Sequence, residues 1–292
     1  MSKSENAALA TREDQYDDDQ LSLLDLVAFI RRNLGILLGG ALIGGVLGLA
    51  IAFILPAEWE ASALVRIGQL GNAGDPGKTI EPSLQVVDRI KNKSFQNDVL
   101  KVLGVAIDDN DAKAKVFRDT LKVKLEKSEL ISLTLRGMSP DEAKQNMNAV
   151  VNELKNIHLR MLVPTVSRWH QELASIELEL KEANTDAERL AKSLAGQSDA
   201  LNNKNFSQAA LLSNILIARE GELRGFRDRK LMLEERRSPE RTFATDVLGR
   251  VEVSIKPVFP IKTLFAVAGL VIGLFLGLLL SILRSIGSRS GA

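Results

Sequence analysis

The chain has 292 residues, with 38 Lys or Arg against 37 Asp or Glu, and no cysteine. The near-zero net charge argues against a nucleic-acid-binding protein, which would carry a basic patch or stripe. Without cysteine, an exported domain must be stable through packing alone, which favours a bacterial envelope protein. The apolar residues are concentrated in two blocks near the ends, and the segment between them is long enough for one buried core.

Residues 1–33 are predicted to form a cytoplasmic tail and an interfacial helix. The first part is polar, with Asp17, Asp18 and Asp19 in succession, which is typical of a disordered tail. From Leu21 onward the apolar pattern predicts a short amphipathic helix at the membrane surface.

Residues 34–55 and 263–283 are the two predicted transmembrane helices, since neither run contains a charged residue. A helix of this length covers about 30 Å, the hydrocarbon thickness of a bilayer. A buried core helix is the alternative for both runs, but core helices seldom continue this far without a charge. A cleaved signal peptide does not fit the first run, which is too long and lacks an A-x-A-like site.

The flanking charges predict the orientation of the chain in the membrane. Arg31 and Arg32 precede the first span, whereas Glu58 and Glu60 follow it. Because the positive side stays cytoplasmic, we expect both termini inside, with residues 284–292 as a second cytoplasmic tail and the main domain outside.

Both predicted spans carry glycine at every fourth position. These glycines are Gly40, Gly44 and Gly48 in the first span and Gly269, Gly273 and Gly277 in the second. Such spacing puts them on one helix face, where the missing side chains allow another helix to approach closely. The pattern predicts a transmembrane packing surface whose partner is either the other span or another subunit.

Residues 56–138 are predicted to be the first part of an α/β base domain, and residues 239–262 a return strand with a proline-rich segment. Alternating apolar residues predict four strands, at residues 61–67, 121–125, 131–135 and 251–255. Helices are predicted for Pro82–Leu103, with a break near Ser94, and for Asp111–Asp119; Gly71–Gly77 is predicted to be a loop. We expect a mixed or antiparallel sheet covered by helices.

Residues 139–238 are predicted to hold long helices and an antiparallel hairpin. Ser139, Pro140 and Glu142 form a strong helix start, and the apolar stripe that follows ends before Pro164. A second stripe, out of phase with the first, predicts the hairpin core: Val166, Trp169, Leu173, Ile176, Leu180, Ala183, Ala187, Leu190 and Leu194.

The second arm of the hairpin is predicted after a polar turn at Gly196–Phe206. Its apolar stripe is looser and is interrupted by Arg219 and Lys230. Because this arm cannot bury all of its apolar residues, neighbouring subunits are expected to cover the remainder.

No catalytic, cofactor-binding or metal site is predicted. Phosphate-loop, nucleophile-elbow and zinc-protease motifs are absent from the sequence. His158 and His170 are interpreted as helix-face residues, because they lie too far apart on helical segments to share a metal ion. Asp108, Asp109 and Asp111 lack the closing glutamate of a calcium loop and are expected to form a solvated, helix-capping turn.

Three further segments lie beside the predicted spans. They are Leu23-Leu24-Asp25-Leu26 with Arg31-Arg32 before the first span, Glu60-Ala61-Ser62-Ala63-Leu64 after it, and Lys256-Pro257-Val258-Phe259-Pro260-Ile261-Lys262 before the second. These segments resemble the Wzz family, the polysaccharide co-polymerases of the bacterial inner membrane. The proline-rich motif comprises Pro257, Pro260 and Lys262. It departs from the family's usual Ser-Pro-Lys, because Phe259, Pro260 and Ile261 stand there and Lys262 comes one place later.

The resemblance implies an α+β membrane protein with two transmembrane helices that bracket a periplasmic α/β base domain with a long antiparallel helical hairpin. It also implies a non-enzymatic regulator of the chain length of O-antigen or a related surface polysaccharide. Such proteins form ring-like homo-oligomers and work with a Wzy-type polymerase on lipid-linked polysaccharide.

Two other functions remain open. An export adaptor for capsule or exopolysaccharide, working with a separate tyrosine autokinase, belongs to the same superfamily. A two-span periplasmic sensor belongs to a different class, and it would need an output domain that residues 284–292 are too few to supply.

Overall fold

The computed structural model describes residues 30–72, 75–108, 110–127, 129–197 and 203–289. The described chain forms two compact units, one from the segments before Glu58 and after Pro257, the other Glu58–Pro257 itself. The predicted tail and interfacial helix lie, apart from residues 30–33, outside the described residues.

Helices and strands both contribute to the described chain. In chain order the elements are α1 (Leu34–Ile54), β1 (Trp59–Arg66), β2 (Gln69–Asn72), β3 (Asp75–Thr79), α2 (Ser83–Lys91), α3 (Lys93–Val102), α4 (Ala112–Thr120), β4 (Lys122–Leu125), β5 (Ile131–Gly137), α5 (Pro140–Gln197), α6 (Asn203–Arg237), β6 (Asp246–Val247), β7 (Glu252–Val253) and α7 (Lys262–Arg289). The predicted α+β architecture, with a long helical hairpin and an apolar helix toward each end, is confirmed.

The main sheet of the central unit is antiparallel throughout. Its strand order is β4-β5-β1-β6, and β7 also pairs with β1. β1 and β5 form the longest ladder, from Trp59 opposite Gly137 to Val65 opposite Ile131. Alternation along these strands buries every second residue on one face, which is the pattern of a sheet covered by helices on that side.

The core of the central unit lies between this sheet and the first part of α5. Ala143, Met147, Val150 and Leu154 are fully buried at helical spacing, because they occupy the stripe that faces the strands. Short helices α2, α3 and α4 complete the same core. The cap at the start of α5 forms as predicted, since the Glu142 amide donates to the Ser139 hydroxyl at 3.1 Å.

One local prediction in the base is corrected, and another is confirmed and located more closely. The segment Gly71–Gly77 is not a loop throughout, because β2 and β3 pair across it as a small antiparallel ladder. Gly71 fits there because an added methyl carbon would collide with the backbone of Arg236. The break predicted near Ser94 lies at Asn92, whose side chain accepts a hydrogen bond from the Ser94 amide at 2.8 Å and thereby caps α3.

The long helix also differs from the prediction. Residues 140–197 form one continuous helix of 58 residues with Pro164 inside it, so the proline does not divide the segment into two helices. The apolar stripe changes phase along this one helix because its first part packs on the sheet and its later part packs on α6. The polar turn is shorter than Gly196–Phe206, because α5 continues to Gln197 and α6 begins at Asn203.

Helices α1 and α7 form the other unit. Leu34–Ile54 and Lys262–Arg284 are each long and apolar enough to cross a membrane. Most of their large apolar side chains are exposed on the outer faces of the pair, as expected for helices that contact lipid.

Candidate functional site

Helices α1 and α7 contact each other through their glycines. A methyl carbon added at Gly40 would lie 2.6 Å from the carbonyl oxygen of Gly273, and one added at Gly44 would collide with the backbone of Gly269. The contact face contains all six glycines of the predicted packing surface: Gly40, Gly44, Gly48, Gly269, Gly273 and Gly277. In the structure the glycine face of each helix therefore packs on the other helix of the same chain, at a distance that excludes larger side chains.

Gly35 and Gly39, on another face of α1, do not share this contact. Among the described residues nothing lies within 4 Å of a methyl carbon added at either position. The close approach of the α7 backbone therefore requires glycine at positions 40, 44 and 48 of α1, but not at positions 35 and 39.

The predicted proline-rich motif is divided between the two units. Pro257 is the last residue of the central unit. Pro260 follows a cis peptide bond with Phe259, and Lys262 begins α7. The Lys262 ammonium lies 4.3 Å from the centre of the Phe53 ring, in the last turn of α1, so this lysine makes a cation–π contact within the helix pair.

The nine predicted core residues of the hairpin all lie on α5 and differ in how far they are buried. Ile176 and Ala183 are buried, and the other seven are half-buried. The facing arm contributes the buried residues Leu223 and Leu233. The structure thus brings the two stripes together, and their incomplete burial follows from having only two helices in the described part of the hairpin.

Charged residues connect the two arms beside this core. Lys230 Nζ lies 2.9 Å from Glu177 Oε1, and Arg219 Nη2 lies 3.7 Å from Asp186 Oδ2. The hydrogen bond to Glu177 raises the pKa of Lys230. The two residues that interrupt the apolar stripe of α6 therefore pair with the opposite arm, which favours one register of the hairpin.

A buried polar cluster was missed by the sequence analysis. His158 and Thr245 are each 1% exposed, and Glu81 is 6% exposed. His158 Nε2 lies 3.2 Å from Glu81 Oε2, and His158 Nδ1 lies 2.5 Å from Thr245 Oγ1. The interpretation of His158 as an ordinary helix-face residue is therefore wrong, whereas His170 is exposed on the same helix.

The cluster joins separate segments of the central unit. Arg89 binds Glu81 through two nitrogens, with Nη2 donating to Oε1 at 2.8 Å and Nε donating to Oε2 at 3.0 Å. The Gly68 amide donates to Thr245 Oγ1 at 2.8 Å. The polar side chains are therefore fixed by partners on α5, on α2, on the segment before α2, and on the segment between α6 and β6.

Burial and charge act against each other in this cluster. Burial lowers the pKa of His158, and the hydrogen bond and charge of Glu81 only partly offset this effect. Burial would raise the pKa of Glu81, but the hydrogen bonds from Arg89 and His158 outweigh it, so the pKa of Glu81 is lowered. The network therefore favours a neutral imidazole beside an ionised carboxylate paired with Arg89.

The predicted capping turn before α4 is partly visible. Asp111 accepts hydrogen bonds from the amides of Lys113 and Ala114, as a helix cap does; Asp109 lies outside the described residues. Across the ranges that the structure describes, no three His, Cys, Asp or Glu side chains are grouped so that they could hold a metal ion.

Known proteins resemble the chain in sequence and in structure. Residues 19–119 match the model of a family described as Wzz, chain length determinant protein. A solved full-length bacterial polysaccharide co-polymerase is 12% identical, with a TM-score of 0.42, and the similarity covers 93% of this chain and 100% of the other. No curated protein sequence matches the chain.

The Shigella flexneri lipopolysaccharide O-antigen chain-length regulator WzzBSF is similar in two solved forms. The wild type is 11% identical with a TM-score of 0.23, over 70% of this chain and 98% of its own. A mutant is 11% identical with a TM-score of 0.22, over 68% and 99%.

The family match covers the first apolar helix and the first part of the central unit, and it ends before the proline-rich motif. The described chain also has two helices long and apolar enough to cross a membrane. The match over residues 19–119 confirms the resemblance to the Wzz family that the sequence motifs predicted.

Proposed function

We propose that this protein regulates the chain length of a surface polysaccharide, O-antigen or a related polymer, as a non-enzymatic co-polymerase that works with a Wzy-type polymerase. The observation that carries the proposal is the match of residues 19–119 to the Wzz chain length determinant family. The polymer is proposed to reach the protein as lipid-linked polysaccharide at the membrane.

The proposed topology puts the central unit in the periplasm. Both termini are cytoplasmic, because Arg31 and Arg32 precede the first apolar helix whereas Glu58 and Glu60 follow it. Helices α1 and α7 then cross the membrane as a pair, with the glycine contact between them and lipid around their exposed apolar side chains.

We also propose that the protein acts as a ring-like homo-oligomer. Large apolar side chains on the hairpin are exposed in the single chain, including Leu178, Leu211, Ile217 and Leu231. Apolar surface of this kind on a water-facing helical hairpin favours coverage by neighbouring subunits. Chemical crosslinking of the full chain in mild detergent tests this, and a strict monomer contradicts it.

Deletion of the gene tests the regulatory function. We expect surface polysaccharide to persist and to lose its preferred length on a polyacrylamide gel, and we expect a plasmid copy of the wild-type gene to restore that length. An unchanged length distribution in the deletion strain contradicts the proposal. Loss of all exported polymer instead favours an export adaptor that works with a separate tyrosine autokinase.

A further inference from the structure

The segment that returns the chain from the hairpin to the sheet is held in place at Thr245. Thr245 lies one residue before β6, and its buried hydroxyl contacts both the Gly68 amide and the His158 ring. Nearby, Gln69 and Phe243 exchange backbone hydrogen bonds at 2.8 and 3.0 Å. The contact between Thr245 and His158 is therefore one of the links that hold this return segment against α5.

The partners of His158 assign its protonation state. Thr245 Oγ1 already accepts from the Gly68 amide at 2.8 Å, so its hydroxyl hydrogen is free to donate to His158 Nδ1. Nδ1 is then an acceptor, and the ring proton lies on Nε2, where it is donated to the Glu81 carboxylate. In this neutral form every polar atom of the pair has a partner.

A second proton on the ring disrupts this arrangement. Protonation converts Nδ1 into a donor that faces a hydroxyl hydrogen, so the Thr245 hydroxyl must turn away. Thr245 is 1% exposed, so turning its hydroxyl hydrogen away from Nδ1 removes the acceptor that it has in the closed arrangement and destabilises that arrangement. The charged form of His158 is therefore better accommodated when the return segment has moved away from α5.

The charged groups around His158 act in both directions. Glu81, from the segment before α2, favours the imidazolium, whereas Arg89 on α2 opposes it. On the return segment, Asp246 is paired with Lys155 of α5, with Nζ 2.9 Å from Oδ1. This ion pair lies beside the histidine at the same junction, is largely exposed on the Asp246 side, and is weakened by salt.

We infer that protonation of His158 at Nδ1 releases Thr245 and loosens the segment that returns the helical hairpin to the sheet, so that acid alters the control of polysaccharide length. This inference rests on the proposed function, since it requires the central unit to face the periplasm. Water-filled porins make that compartment follow the pH of the medium.

The sign of the pH dependence follows from the lowered pKa of His158. The opened or unfolded chain binds the proton at the ordinary histidine value of about 6.5, before the closed form does. The stabilisation is therefore complete above about pH 6.5 and is lost as the pH falls from there toward the pKa of the closed form. Glu81, also with a lowered pKa, adds a second loss only as the pH falls below its ordinary value of 4.5.

Histidine NMR of the full chain in detergent micelles tests the protonation step. The sequence has two histidines, so ring-labelled protein gives two signals, and the variant His170→Gln identifies the signal of His158. We expect the His158 signal to titrate below about pH 6.5, and the Gly68 amide to exchange with solvent faster as it does so. The inference is overturned if the His158 signal titrates above this value. It is also overturned if the exchange rate of the Gly68 amide does not change as His158 is protonated.

Polysaccharide gels from cells grown at about pH 5 and about pH 8 test the consequence for length. Wild type and the matched control His170→Gln are expected to lose or shift the preferred length class at the lower pH. His158→Gln, which cannot take up the proton, is expected to show the same distribution at both pH values. A His158→Gln strain that responds like wild type, or a wild type with the same preferred length at both pH values, overturns the inference.

Failure of the proposed function can be distinguished from failure of this inference. If wild type shows no preferred length at either pH, the proposed function itself fails, whatever the NMR titration shows.

A second pair of variants tests the inference if the His158→Gln protein does not accumulate. These variants are Thr245→Val and Thr245→Ser. Valine, without the hydroxyl, is expected to lack the preferred length at both pH values, while serine keeps the wild-type response; identical behaviour of the two variants overturns the inference.

Discussion

The two antiparallel helix pairs of this protein are held together by opposite means. Between α1 and α7 backbone packs on backbone, at Gly44 and Gly269 for example. Between α5 and α6 an apolar stripe is flanked by ion pairs such as Glu177 with Lys230. In lipid there is no hydrophobic drive between apolar helices, so close approach must supply the contact energy. In water the stripe supplies it, and charges at its edge favour one register.

The largest effect is expected from a bulky side chain in the glycine contact. Gly44→Leu places a branched side chain where even a methyl carbon would collide with the backbone of Gly269, so the close pairing of α1 and α7 is lost. A cysteine pair at Gly45 and Leu270 reports on it, because a methyl carbon at Gly45 would lie 3.9 Å from Leu270 Cβ, a distance suited to a disulfide.

The control for this experiment is Gly39→Leu on the same helix, since Gly39 has open surroundings in the described structure. Disulfide formation between the introduced cysteines is expected to persist in Gly39→Leu and to disappear in Gly44→Leu. The absence of native cysteine keeps the readout free of other disulfides. Equal crosslinking in both variants would show that the glycines are not required for the contact.

A truncated core residue is expected to have the next largest effect, in the hairpin. Ile176→Ala removes a side chain that is 3% exposed, and such truncations destabilise by about 2–4 kcal/mol through lost burial and the remaining cavity. Leu178→Ala, at a position that is 59% exposed, is expected to change stability by about 0.5 kcal/mol or less. Urea unfolding of the purified protein, followed by circular dichroism, measures both; similar losses would argue that Leu178 is covered in the assembly.

Replacement of the proline within α5 is expected to stabilise the hairpin. Pro164 lies inside a continuous helix, where proline is about 3 kcal/mol less favourable than alanine because it lacks an amide hydrogen and crowds the preceding turn. Pro164→Ala should therefore raise the urea midpoint by an amount equivalent to about 1–3 kcal/mol. Ser167→Ala, an exposed position one turn later, is the control for helix propensity alone, and a lower midpoint for Pro164→Ala would contradict the expectation.

The smallest effect is expected from the ion pairs between the hairpin arms. Lys230→Gln removes the partner of Glu177 and should lower the urea midpoint slightly at low salt, with no difference from wild type at about 1 M salt, where the charges are screened. A double-mutant cycle with Glu177→Gln isolates the pair. Disulfide formation between the cysteines introduced in α1 and α7 should not change with salt concentration. This difference would distinguish the glycine contact from the hairpin contact.

The sequence predicted the features that repeat. Glycine at every fourth position and apolar residues at heptad spacing each identify a helix face, and alternation identified the strands that build most of the sheet. The two-residue strands β6 and β7 illustrate the limit, because β6 is too short for any alternation and was not predicted, whereas β7 was predicted only as part of a longer strand.

The features that depend on distant partners were not predictable in the same way. His158 occurs once in its helix, and nothing near it in sequence shows that Glu81 and Thr245 surround it. Pro164 has the usual signature of a helix end, but the helix continues because packing on both sides of the proline outweighs the local cost. A stripe that continues in a new phase directly after a proline is the one local signal that would have suggested a continuous helix.

The pairing of β1 with β7 means that the central unit begins and ends at adjacent positions. Ser62 lies opposite Glu252, and the Ser254 amide donates to the Glu60 carbonyl at 2.8 Å. In topological terms residues 58–257 are an insertion whose two ends are fixed side by side by the sheet. Whole heptads can therefore be added to or removed from both hairpin arms without moving those ends, so that evolution can alter the reach of the hairpin while the path of the chain into its neighbouring helices is preserved.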